Sequence, residues 1–141
     1  MDLSKLVAIS GKPGIYRMIS NKENGLIVED LDNGKKRFVS GRKHQFTPLE
    51  SISIYTWDDT VELKTVFQAM FEQLEDNPLP ANKDKADTLR AYFTKILPNH
   101  DTERVYTNDI SKLIKWFKFL ESRNLISAES VEEETSQDEE E

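Results

Sequence analysis

Gly11-Lys12, within Ser10-Gly11-Lys12-Pro13-Gly14-Ile15, offers the Gly-Lys pair of a phosphate-binding loop. Such a loop also needs a Gly five residues before the pair and a Ser or Thr after the Lys to hold magnesium. Leu6 stands at the first position and Pro13 at the second. Pro13 also drives Lys12 out of helical conformation, so no helix can open there. Lys12-Pro13-Gly14-Ile15 instead fits a type II turn, with Pro presetting φ and Gly14 accepting a positive φ. The stretch is expected to be a strand entrance, and a phosphate site is set aside.

The remaining chemistry-bearing residues are sparse. His44 and His100 are the two histidines, and neither has an acid or a second His one helical turn away, so no metal site is expected. Both are expected on the surface, His100-Asp101 as a loop pair behind Pro98. The carboxylate pairs Asp30/Asp32 and Asp58/Asp59 could in principle divide acid and base roles. The first flanks a hairpin turn and the second stands at a helix start, and these structural roles account for both. No serine lies in a Gly-x-Ser-x-Gly elbow. With no cysteine, disulfides, thiol catalysis and cysteine metal sites are excluded, which is consistent with a reducing compartment. The expectation is a non-enzymatic protein without cofactor.

Two surfaces carry more information. Lys35, Lys36, Arg37, Arg42, Lys43 and His44 crowd into one hairpin and its following loop, with Phe38 and Phe46 between them. Cations for phosphates and rings for bases are what single-stranded nucleic-acid binding requires. The plainer expectation is that both rings face the core and the charges solvate a hairpin. The second surface lies on a helix near residues 108–123. Ile110, Leu113, Ile114, Phe117 and Leu120 gather on one face, while Lys112, Lys115, Trp116 and Phe119 share the opposite one. A helix apolar on two sides lies between layers or presents an interface. Docking of Trp116 and Phe119 on the β domain is preferred over a protein partner or homodimer.

These residues need elements to hold them. Ile15 to Ile19, Leu26 to Leu31, Lys36 to Val39 and Ser51 to Tyr55 read as four short strands. Asn33-Gly34 between two of them predicts a type I′ hairpin. Four such strands within residues 1–56 suggest a small SH3-like or meander β domain. From Trp57 the period becomes 3.6. Leu63, Val66, Phe67, Met70, Phe71 and Leu74 define a first helix, with Asp59 and Glu62 as its capping box. A connector with two prolines leads to a second helix over about 85–97. The third runs from about 108 to 123, with Thr107 or Asn108 as its cap, Asp109 in its first turn and Asn124 as left-handed stop. Residues 57–126 are thus a compact three-helix domain, and the fold class is α+β.

Of 141 residues, 37% are hydrophobic and 32% charged, with a net charge of −7. Nine Lys/Arg against six Asp/Glu make residues 1–56 mildly basic, whereas residues 127–141 hold eight acids and no base. That acidic tail cannot bury enough apolar area to order itself and is expected to be disordered, serving solubility or competing for the basic hairpin. No apolar run approaches a membrane span, and the N-terminal stretch is too brief for a secretory signal, so a cytoplasmic protein is expected.

"LSKLVAISGKPGIYRMIS", "ISIYT" and "LRAYFTKILPNHDTERVYTNDISKLIKWFKFL", in that order, resemble a family of small uncharacterised bacterial proteins classed as domains of unknown function. The resemblance covers nearly all of residues 1–126. It implies a β-rich N-terminal domain followed by a helical one, and it brings no activity or site. The resulting expectation is a cytoplasmic binding or adaptor protein, with a nucleic-acid-associated protein as the alternative and an enzyme as a distant third.

Overall fold

The computed structural model describes residues 3–81 and 83–126. The disorder expected of 127–141 lies outside the described residues. The chain forms two compact units that part between Ile52 and Ser53.

In the first unit, β1 (Leu6–Ile9), β2 (Ile15–Lys22), β3 (Gly25–Asp30), β4 (Lys36–Ser40) and β5 (Phe46–Pro48) form one antiparallel sheet in the order β4-β3-β2-β1-β5. Four strands run as a meander, and β5 returns to pair with β1, Val7 opposite Pro48 and Ile9 opposite Phe46. A single turn of 3-10 helix, Leu49–Ser51, follows. Alternation places Val7, Ile9, Leu26, Val28 and Val39 on one buried face, with Tyr16, Met18 and Phe46 packed around them. β2 carries one extra residue between Met18 and Ser20, so Ile19 bulges out of register and is exposed.

The turns differ in detail from what the sequence suggests. Gly14 has φ +82°, as its place after Pro13 requires. The hydrogen-bonded turn lies just before it, however: Lys12 N–H donates to the Ile9 carbonyl at 3.1 Å, with Gly11 at φ +79°. At Asn33-Gly34 the expected type I′ turn is absent. Gly34 is left-handed (φ +71°) but Asn33 is not, and a type I′ turn needs both. Asp30 explains the difference. Its Oδ1 accepts from the Asp32 and Asn33 amides at 2.8 and 3.2 Å, folding a wider loop than two residues could make. The carboxylate of Asp30 is thereby committed to the turn.

The second unit begins with a hairpin. The strand expected in the β domain over Ser51 to Tyr55 is shorter: Ser51 ends the 3-10 turn, and β6 (Ser53–Tyr55) pairs with β7 (Thr60–Glu62) in a sheet of its own. Asp58 and Asp59 occupy this hairpin's turn, not a helix cap. Thr56 Oγ1 accepts from the Asp59 amide at 3.0 Å, and Asp59 Oδ1 from the Thr60 amide at 2.8 Å. Helix α1 therefore starts later, spanning Leu63–Glu72. It is followed by α2 (Ala86–Ile96) and α3 (Thr107–Glu121). Leu63, Val66, Phe67 and Met70 of α1 are buried, as are Leu89, Phe93 and Ile96 of α2 and the five predicted residues of α3. Phe67 meets Phe117 edge to face at 5.8 Å.

Helix α3 is capped one residue earlier than Thr107. Tyr106 is the N-cap, and its amide donates to Asp109 Oδ2 at 2.9 Å. At the other end Asn124 has φ +59°. The Leu125 amide reaches the Leu120 carbonyl and the Asn124 amide the Glu121 carbonyl, the paired bonds of a Schellman motif. No helix among the described residues is long and apolar enough to cross a membrane.

Candidate binding surfaces

A polar knot organises one end of the helical unit. His100, expected on the surface, is 1% exposed. Its Nδ1 donates to the Leu97 carbonyl at 2.7 Å, and its Nε2 accepts from Arg90 Nη1 at 3.1 Å. A carbonyl only accepts and a guanidinium only donates, so these partners fix the neutral imidazole with its proton on Nδ1. Arg90 Nη1 also donates to the buried Val105 carbonyl at 2.8 Å, and the His100 ring stands edge-on to Phe93. One guanidinium thus ties α2 to both ends of the 100–105 segment.

Asp101 is buried beside this knot. Burial alone would push its carboxyl up. The Glu103 amide on Oδ1 and the Arg104 guanidinium on Oδ2, both at 2.9 Å, outweigh burial and hold it below the ordinary carboxylate range. Its backbone amide donates to the Tyr55 carbonyl at 2.9 Å, while the Trp57 amide donates to the Asn99 carbonyl at 3.1 Å. Thr56 and His100 form the bridge between these two bonds. The 55–57 and 99–101 segments are therefore joined as a short ladder.

What this ladder presents outward is aromatic. Its Tyr55 and Trp57 are 44% and 57% exposed, and Tyr106, past the ladder at the start of α3, is 62% exposed; they are among the few large apolar side chains left open to solvent. The Arg104 guanidinium lies 4.6 Å from the centroid of the Tyr55 ring while its Nε holds Asp101. Rigid Tyr and Trp side chains with a stacked Arg are the residue types that dominate binding hot spots. The sequence held a signal for this: Ile54 and Thr56 alternate with Tyr55 and Trp57, and Val105 with Arg104 and Tyr106. Alternation puts Tyr55 and Trp57 opposite buried Ile54 and Thr56, and Arg104 and Tyr106 opposite buried Val105, but the bonds of Arg90 to His100 and Val105 are revealed by no spacing.

The residues singled out from sequence fall into two groups. On the first unit, Lys36 and Arg37 lie on β4, Lys35 in the loop before it, and Arg42 and Lys43 in the loop after it, all exposed. Phe38 is not a core residue: it is 52% exposed, its ring tip lying over Gly25 of β3. Phe46, by contrast, packs on the core, and His44 is half-buried with Nδ1 donating to the Ser10 carbonyl at 2.8 Å. On α3, Lys112 and Lys115 are exposed and Trp116 and Phe119 half-buried. The Arg123 guanidinium, two residues past the end of α3, stacks on the Phe119 ring at 3.6 Å and covers part of it. Among the described residues no group of three His, Asp or Glu is arranged to hold a metal ion.

A five-stranded antiparallel sheet followed by a three-helix unit defines a mixed α+β protein. Two models of domains of unknown function match it: DUF5606 over residues 3–49 and DUF6852 over residues 52–120. The break between them falls close to the junction of the two structural units. A solution NMR structure of a protein from Bacteroides vulgatus, solved by the Northeast Structural Genomics Consortium, is 34% identical, with a TM-score of 0.72. The match covers 89% of this chain and 90% of that one. The chain belongs to this uncharacterised bacterial family. No curated protein matches it.

Proposed function

We propose that this is a non-enzymatic, cytoplasmic protein-binding or adaptor module whose recognition surface is built on the ladder's Tyr55 and Trp57, with Arg104 stacked on Tyr55 and Tyr106 as a further exposed aromatic residue at the start of α3. The sheet of the first unit, with its returning fifth strand, fits an SH3-like scaffold in this scheme. One observation carries the proposal: Tyr55 and Trp57 stay open to solvent on backbone that is tied to the 99–101 segment, whose His100 and Asp101 are buried. Rings on a rigid frame lose little entropy on contact, which is what a binding anchor needs. Arg104, the cation within this group, is engaged by Asp101, so the surface favours protein over a polyanion.

The test compares the natural chain with Trp57→Ala and Tyr106→Ala. Both side chains are exposed, so each variant should keep its stability within about 0.5 kcal/mol. Each should lose proteins captured by the natural chain from a nuclease-treated bacterial lysate. A homodimer through this surface would read as a concentration-dependent mass that Trp57→Ala abolishes. Capture that survives both substitutions, or that nuclease removes from the natural chain, overturns the proposal.

A further inference from the structure

The edge of the first unit's sheet carries a second recognition feature, independent of the aromatic ladder. β3 and β4 pair with Gly25 opposite Ser40 and Glu29 opposite Lys36. Beyond the ends of that ladder, the Asp30 amide donates to the Lys35 carbonyl and the Gly41 amide to the Asn24 carbonyl. In an antiparallel pair, bonded and non-bonded positions alternate. The bonded pairs are therefore Asp30/Lys35, Val28/Arg37, Leu26/Val39 and Asn24/Gly41. Arg37 and Val39 spend their amides and carbonyls on β3. Lys36, Phe38 and Ser40 turn theirs away, to the open edge, and no described residue takes them up.

The two edges of the sheet are not equivalent. β5 has three residues and ends in Pro48, which has no N–H to offer a new strand. β4 has five residues and a strongly basic surround. Among the described residues, none of Lys35, Lys36, Arg37, Arg42 and Lys43 is in a salt bridge. Glu29, which faces Lys36 across the strands, is paired with Arg17 at 3.6 Å. Charged edges commonly serve to block aggregation, and these do so for identical copies: β4 against β4 would set lysine and arginine against each other. The same charges welcome carboxylates. Between them Phe38 offers an exposed ring, so the edge combines free backbone, cations and one apolar contact.

We infer that the β4 edge docks an extended acidic peptide, which adds to the sheet beside Lys36, Phe38 and Ser40. Its backbone bonds those three residues, its carboxylates meet the five cations, and an apolar side chain rests on Phe38. The backbone phase is what favours a peptide over a nucleic acid, which has no use for an alternating row of amides and carbonyls.

The test is an NMR titration of the full 15N-labelled chain with the synthetic peptide Glu-Thr-Glu-Val-Glu-Thr-Glu, read by chemical shift and amide hydrogen exchange. Strand addition should slow exchange at Lys36, Phe38 and Ser40 by about tenfold while leaving Arg37 and Val39 unchanged, since these are already bonded to β3. Lys36→Glu with Arg37→Glu should weaken binding by about tenfold, and added salt should weaken the natural chain likewise. Three results overturn the inference. One is absence of binding at low salt. Another is shift changes without protection of those three amides, which would mean charge adhesion alone. The third is oligothymidylate of similar length binding more tightly through Phe38, which would make the edge a nucleic-acid site. The exchange measurement uses the natural chain, so the outcome does not depend on the variant folding.

Discussion

Arg90→Met isolates the bond pattern that holds the aromatic ladder in place. Methionine keeps most of the side-chain stem, so the substitution removes two hydrogen bonds with little change in packing. It orphans His100 Nε2, whose ring is 1% exposed, and the carbonyl of Val105, a residue 3% exposed. A buried acceptor left unpaired costs about 1–3 kcal/mol. The Arg90 side chain is only half-buried, so some water can follow it out, and the sum should come to about 2–4 kcal/mol. Urea unfolding measures that cost, and hydrogen exchange locates it: the amides of residues 99–106 should open faster than those of α1. In combination with His100→Phe, the double variant should be more stable than the two single costs predict, by about 1–2 kcal/mol, because both partners are then gone. A cost below about 1 kcal/mol with unchanged exchange at residues 99–106 would refute the assignment of Arg90 as the fastener.

Three further outcomes are expected. Asp101 has its carboxyl held below its ordinary value of 3.8, so the stability it contributes is complete above that value and is lost as pH falls through the lower folded one. Melting temperatures of the natural chain and Asp101→Asn, followed from pH 6 to pH 2, should therefore converge as the pH drops; a gap that widens with acid would contradict the sign. The Tyr92 hydroxyl is buried without a hydrogen-bond partner among the described residues, and burial pushes its phenol well up. Tyr92→Phe should be neutral or stabilising by about 1 kcal/mol in chemical denaturation, and a loss of more than that would reveal a partner for the hydroxyl. At Gly25 a methyl group would collide with the Val39 carbonyl oxygen and crowd the Phe38 ring tip, so Gly25→Ala should cost about 1–3 kcal/mol; unchanged stability would mean that β3 and β4 part easily there.

Local rules made much of the architecture legible. The 3.6 period found the buried faces of the helices, because each helix needs one apolar stripe whatever it packs on. Gly14 and Asn124 were readable because Gly and Asn accept the positive φ that a turn or a helix stop demands, whereas Asn33, of the same type, does not take it. Sequence failed where long-range partners decide. The Ser53–Tyr55 strand looks the same in either sheet, and only its pairing with Thr60–Glu62 assigns it. Asp59 has the spacing of a helix cap, yet a nearby threonine hydroxyl claims its amide for a turn. His100 looked like a surface residue because nothing in its neighbourhood announces that Arg90, ten residues back on α2, supplies its donor. The basic residues of the hairpin were visible at once, but the open backbone edge beside them depends on which strand lies outermost.

The returning fifth strand has a kinetic consequence. β2, β3 and β4 are joined to their neighbours by short turns, so their pairings close small loops and cost little chain entropy. The pairing of Val7 with Pro48 joins opposite ends of the unit and must wait until the intervening chain is compact. The β1–β5 seam should thus be poorly formed in the folding transition state. Substitutions along it, such as Thr47→Gly, should speed unfolding and leave the folding rate nearly unchanged, whereas those in the β2–β3 hairpin should slow folding itself.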